Sequence, residues 1–270
     1  IVGREVIGTY QILGDDKGLA ISKYHVAGIY LESDNYHLGL IYLLDCLEMF
    51  KRLGDFHSQA KVQKSLGTAY EFFGDDRNAV VAYERSIDAA RKIGDVVLET
   101  DAYNPLSGIY LNRGKLDKAE ELIERSMRMK HSAGDMRGMA FALYGKAKVY
   151  TKKKLYPQAK EAYLESIRLH RENGELKGLG MCYHKLGVMH YDTGEFDEAI
   201  EALRGALNFA SFNNLIAIKS KSNFLLYEIY KQRGDLPTAL GFIEAYMKEK
   251  ETLIDSQTQK VINSYESIAT

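Results

Sequence analysis

The chain has 270 residues, of which 46% are hydrophobic and 27% charged, the proportions of an ordinary protein with enough apolar mass for a long core. Thirty-six basic residues against thirty-seven acidic ones give a formal charge of −1, which lacks the basic footprint of a nucleic-acid binder. No apolar run approaches the ~20 residues that span a bilayer, so membrane insertion is not expected, and only three prolines in the chain fit an all-helical fold.

Taken from the start, Ile1–Leu13 aligns with Ile41–Leu53, the latter half of a second helix. Residues 1–14 therefore read as a partial repeat, and a chain opening without Met reads as a piece of something longer. Six units follow, near 16–54, 56–94, 96–134, 136–174, 176–214 and 216–254. The second is the clearest. Leu66, Ala69, Tyr70 and Phe73 form one apolar stripe at helical period, Gly74-Asp75 breaks it, and Ala79, Tyr83, Ile87 and Ala90 form another. Two short amphipathic helices joined by a tight turn cannot bury their apolar faces alone, so they must stack on copies of themselves.

The copies keep a 40-residue spacing: Gly14-Asp15, Gly54-Asp55, Gly94-Asp95, Gly134-Asp135, Gly174-Glu175, then Asn214-Leu215. Tyr30, Tyr70, Tyr110, Tyr150 and Tyr230 follow the same interval, and so do the small residues Gly39, Ala79, Ala119, Ala159, Ala199 and Ala239. Pro157 and Pro237 each follow a turn, where proline suits the first turn of a helix. Pro105 falls inside a first helix and predicts a kink, either tolerated or reshaping the surface there. After Lys248 the punctuation stops. Met247, Ile254, Val261 and Ile268 are spaced by seven, with Tyr265 four after Val261, which is the seam of a coiled coil or a stripe capping the last repeat. The expected division is a repeat array over 1–254 and a capping or connector helix over 255–270.

Little in the chain points to catalysis. The seven histidines show no spacing of three or four that would set two ligands on one helical face, and neither a phosphate loop nor a nucleophile elbow occurs. Gly178-Leu-Gly180 lacks a preceding strand and reads as close packing. Cys46 and Cys182, far apart and without metal spacing, read as small buried thiols of a reducing, cytoplasmic setting. No catalytic residue, metal or cofactor is expected.

The set Leu66-Gly67, Tyr70, Ala79 and Tyr83, recurring in degraded form along about 250 residues, resembles the tetratricopeptide repeat. That family's unit is about 34 residues; the six extra ones here resemble the long-helix repeats of Pins-type polarity adaptors, of bacterial Rap-type peptide receptors and of sensor regions of bacterial signalling proteins. The resemblance implies an all-α, right-handed superhelical solenoid of antiparallel helix pairs. It also implies a docking or sensory function, ahead of a nucleotide cyclase, diguanylate cyclase or histidine kinase, or else a free-standing scaffold. The asparagine ladder of the polarity adaptors is missing. The residue after the small position reads Gly28, Thr68, Gly108, Lys148, Val188, Glu228, so that ligand class does not carry over.

In such a solenoid the first helix of each pair lines the concave face. One row there reads Ile21, Lys61, Asp101, Phe141, Met181, Lys221, and the adjacent row Tyr24, Lys64, Asn104, Tyr144, His184, Phe224. With Tyr191 nearby, the middle of the groove is rich in rings and thioether, and lysines stand towards its ends. Rings beside long cations suit an extended or helical peptide with acidic side chains, unless Phe141 and Tyr144 pack between repeats instead. The expected partners are a protein or peptide in the groove and a second copy through the C-terminal helix, with no nucleic acid.

Overall fold

The computed structural model describes the backbone of residues 2–33, 35–212 and 215–269, and the side chains of 5–33, 35–211, 215–256, 258 and 259. Its elements in chain order are all helices. α1 is Val2–Leu13. The pairs that follow are α2 (Asp16–Glu32) and α3 (Tyr36–Arg52), α4 (Phe56–Phe72) and α5 (Asp76–Ile93), and α6 (Val96–Asn112) and α7 (Leu116–Ser132). Then come α8 (Met136–Lys152) and α9 (Tyr156–Glu172), α10 (Leu176–Thr193) and α11 (Phe196–Phe212), and α12 (Ile216–Gln232) and α13 (Leu236–Ala269). Each first and second helix expected from the 40-residue interval is present. α6 runs unbroken through Pro105.

The Gly-Asp motif has a two-part cause. Gly94 closes α5 in the left-handed conformation, φ 67°, which costs glycine little. Asp95 then accepts the Leu98 amide at 3.0 Å and so satisfies one of the orphan donors of α6. The same cap recurs at Asp15, Asp55, Asp75 and Asp135. The small residues have a different cause. A Cβ placed on Gly67 would sit 2.5 Å from the Tyr83 ring, so glycine on α4 is what lets the fully buried tyrosine of α5 lie flat against it.

The chain divides into two compact units, Ile1–Arg113 with Gln257–Thr270, and Gly114–Ser256. In the first, Leu43, Leu47 and Phe50 of α3 pack with Leu19 of α2 and Val62 and Leu66 of α4. In the second, Tyr163 and Ile167 of α9 pack with Leu179, Cys182 and Leu186 of α10, and Leu203 of α11 packs with Leu226 and Ile229 of α12. Cys46 and Cys182 are free and buried, and burial pushes both thiols up to about 12. They are packing residues, as their spacing implied.

Candidate functional site

Within the second unit the first helices touch in succession, α8 against α10 and α10 against α12. Within the first unit α4 touches α6 in the same way. First helices that touch each other directly lie on one side of their stack.

In the first unit Lys61 is exposed. Lys64 reaches Asp101 at 3.0 Å across α4 and α6, so its charge is answered by the chain itself. Beside them Asn104 keeps a buried Oδ1 with no hydrogen-bond partner among the described residues. This stretch is polar and largely self-paired.

The second unit differs. Phe141 is half-buried, with its ring against that of His170, centroids 4.6 Å apart at 76°. Tyr144 lies 6.3 Å from Tyr163, and Lys148 Nζ sits 5.5 Å from its ring centre. Burial pushes its hydroxyl pKa up. Phe141 and Tyr144 thus spend much of their surface on packing inside the unit. His184 departs further from the expectation of a displayed ring: only 6% of it is exposed. Its Nδ1 lies 2.9 Å from Ser222 Oγ on α12, which ties two first helices together. Burial, then the charges of Lys185 and Lys221, lower its pKa to about 4, so the ring is neutral. Tyr191 is half-buried at the α10–α11 turn, 5.9 Å from Phe196.

What remains open on this face is Met181, half-buried, with Lys221 and Phe224, both exposed. Phe224 is 39% exposed although its ring lies 5.2 Å from Tyr246 and 6.0 Å from Tyr227. Sequence reasoning missed two cations here. Lys185 of α10 is half-buried, and burial, then Lys221, then Lys152 lower its pKa. Feeling one lysine on α8 and another on α12, it lies between both neighbouring helices. It is one position off the row that contains His184, and a third row read at that register would have included it.

Of the seam, Met247 and Ile254 are exposed, at 58% and 53%. The side chains of Val261, Tyr265 and Ile268 lie outside the described residues. No group of three or more His, Cys, Asp or Glu among the described residues could hold a metal ion, and no described helix is long and apolar enough to cross a membrane.

A family model described as the tetratricopeptide repeat matches residues 18–92 and 138–211, more than half of the chain. The chain belongs to the tetratricopeptide repeat family. Its all-helical architecture matches solved solenoids of that kind, all at low identity. BtubC (BKLC) from P. vanneervenii is 20% identical, with a TM-score of 0.64 over 79% of this chain and 90% of that one. The Rap conjugation gene regulator of the plasmid pLS20, solved in complex with the Phr* peptide, is 14% identical, with a TM-score of 0.69 over 95% and 78%. A signal transduction ATPase with numerous domains, carrying a tetratricopeptide repeat sensor, from Pyrococcus horikoshii, is 16% identical, with a TM-score of 0.58 over 91% of this chain and 38% of that one. Among curated proteins none matches. The likeness to Rap-type arrays read from the sequence is thereby supported at the level of fold. Repeats of this family imply a protein-interaction role.

Proposed function

We propose that this chain is a non-catalytic, cytoplasmic module that binds a protein or peptide on the face formed by its first helices. It would act as the sensory or docking region of a larger signalling protein that carries a cyclase or kinase output domain. The observation that carries the reading is the open strip on α10 and α12, where Met181 and the exposed Phe224 lie beside Lys221. Apolar anchors rimmed by cations are what a peptide groove needs: rings and thioether supply contact area, and the rim sets register and charge preference. The Rap regulator solved with the Phr* peptide and the repeat sensor of the Pyrococcus ATPase support a peptide ligand and a sensory role respectively.

A random peptide library selected on the chain tests it. Peptides recovered on the intact protein should lose about tenfold or more in affinity on Phe224→Ala or Met181→Ala, the size of a truncated anchor. Selected peptides that bind both variants as tightly as the parent would place the ligand elsewhere and remove the reading. The second reading, a free-standing scaffold whose last helix only caps the stack, is decided by the oligomeric state discussed below.

A further inference from the structure

The lysines of the second unit fall into two kinds. Lys219 of α12 pairs with Glu249 at 3.1 Å, and Lys153 at the end of α8 pairs with Asp117 at 3.5 Å and with Glu120. Lys152, Lys185 and Lys221 make no ion pair with any described carboxylate, although Lys221 and Lys152 stand close enough to Lys185 to disfavour its charge. Asp192 is the one acid that acts on Lys185, and it is the weakest of the influences there. Three like charges near one another, offset only weakly by Asp192, are unfavourable for the free chain, and a ligand anion would relieve that.

We propose that Lys152, Lys185 and Lys221 form a cationic diagonal that receives an extended acidic peptide segment, whose apolar side chain seats on Met181 and Phe224. The inference rests on the peptide-binding reading above and adds the charge and the conformation of the ligand.

The spacing of the lysines selects the occupant. The 40-residue interval matches Lys185 with Gly145 on α8 and Leu225 on α12. Lys152 is seven residues beyond its match and Lys221 four residues before its own. At ~1.5 Å per residue along each helix, and 8–10 Å between helices, the outer two backbone anchors lie roughly 25 Å apart. A single phosphate reaches one of these ammonium groups, or two at most. An extended chain of about seven or eight residues spans the distance, at ~3.3 Å per residue, with acidic side chains about three or four apart. The neutral His184 beneath adds no charge of its own, so the three lysines set the potential of the strip.

The test is fluorescence anisotropy with fluorescein-labelled peptides that carry Glu at every third or every fourth position and Leu, Phe or Tyr between. The same peptides with Gln for Glu serve as controls. The acidic set should bind more tightly than the Gln set, and more so at about 20 mM salt than at about 300 mM. Lys152→Met, Lys185→Met and Lys221→Met should each weaken it about fivefold, whereas Lys219→Met leaves it unchanged. If the Gln set binds equally well and still loses affinity on Phe224→Ala, the diagonal is not a charge reader and the peptide groove stands. If neither set binds at either salt concentration, both readings fall. Competition by millimolar inorganic phosphate, or tighter lysine-dependent binding of a single-stranded oligonucleotide, would replace the acidic peptide with a different ligand.

Discussion

His184 shows how one side chain is redirected by its neighbours. Three residues beyond Met181 it should share the groove face, but Ser222, thirty-eight residues later, takes its Nδ1 and draws the ring inside. That partner comes from the next repeat, so local periodicity could not reveal it. The burial has a measurable consequence. In the unfolded chain a histidine titrates near 6.5, whereas in the fold His184 titrates near 4. Between those values the unfolded state holds a proton that the folded state refuses. Stability present above pH ~6.5 is therefore lost as pH falls towards 4, by up to roughly 3 kcal/mol. His170 has the same sign, lowered by burial and opposed by the Glu175 charge. The capping carboxylates act in a lower window. Asp75 is held below the usual carboxylate range by the Asn78 amide, so its contribution disappears only as pH falls through that lowered value. Urea midpoints at pH 7 and pH 5 should therefore differ less for His184→Gln than for the parent; an unchanged difference would assign the titration elsewhere. A second residue-scale expectation concerns Gly67. An added methyl group meets the Tyr83 ring, so Gly67→Ala should destabilise the chain by about 1–3 kcal/mol in thermal or urea unfolding.

At the scale of the helix and its turns the chain is highly legible. Gly-Asp every forty residues marks the starts of α2, α4, α6 and α8, because a left-handed closing residue and a capping carboxylate are local chemistry; α10 and α12 follow Glu175 and Leu215 without a side-chain cap. Asp95→Ala should therefore cost about 1 kcal/mol in unfolding free energy, through the Leu98 amide it leaves without its acceptor. One turn escaped the pattern. Lys154 holds φ 60° between α8 and α9, where Gly74, Gly114, Gly194 and Gly234 stand at the corresponding turns of other repeats. A lysine in that conformation is strained, because its Cβ approaches the following carbonyl oxygen. Lys154→Gly should stabilise the chain by about 0.5–1 kcal/mol, the strain relieved less the extra freedom of glycine in the unfolded state; no rise in the urea midpoint would contradict this. The site was less legible than the fold for a related reason. Periodicity assigns a residue to a face, but whether a ring on that face is open, as at Phe224, or occupied, as at Tyr144, depends on the adjoining repeats. Lys64 belongs to the row expected to line the groove, yet Asp101 on the next first helix answers its charge.

At the scale of the whole molecule the question is what the last helix does. α13 has 34 residues where α12 has 17, so it runs on for about 25 Å beyond the length its partner covers. A helix that only closes a stack turns its apolar residues inward. Met247 and Ile254, seven apart, instead leave more than half of their surface exposed. Apolar residues repeating at that interval form a seam when a second helix lies against them. We therefore expect the chain to be a dimer by light scattering, with twice the mass of 30.5 kDa, and a form ending at Asp255 to be a monomer. Met247→Glu with Ile254→Glu should produce the same monomer without shortening the helix, since buried charges at a seam are costly. Together these results would make the seam a dimerising connector and favour the sensor reading over the free-standing scaffold. If the full chain and the Asp255 form are both monomers, the exposed pair is not a seam. The stretch 255–270 is then a cap, and the free-standing scaffold takes precedence over the sensor.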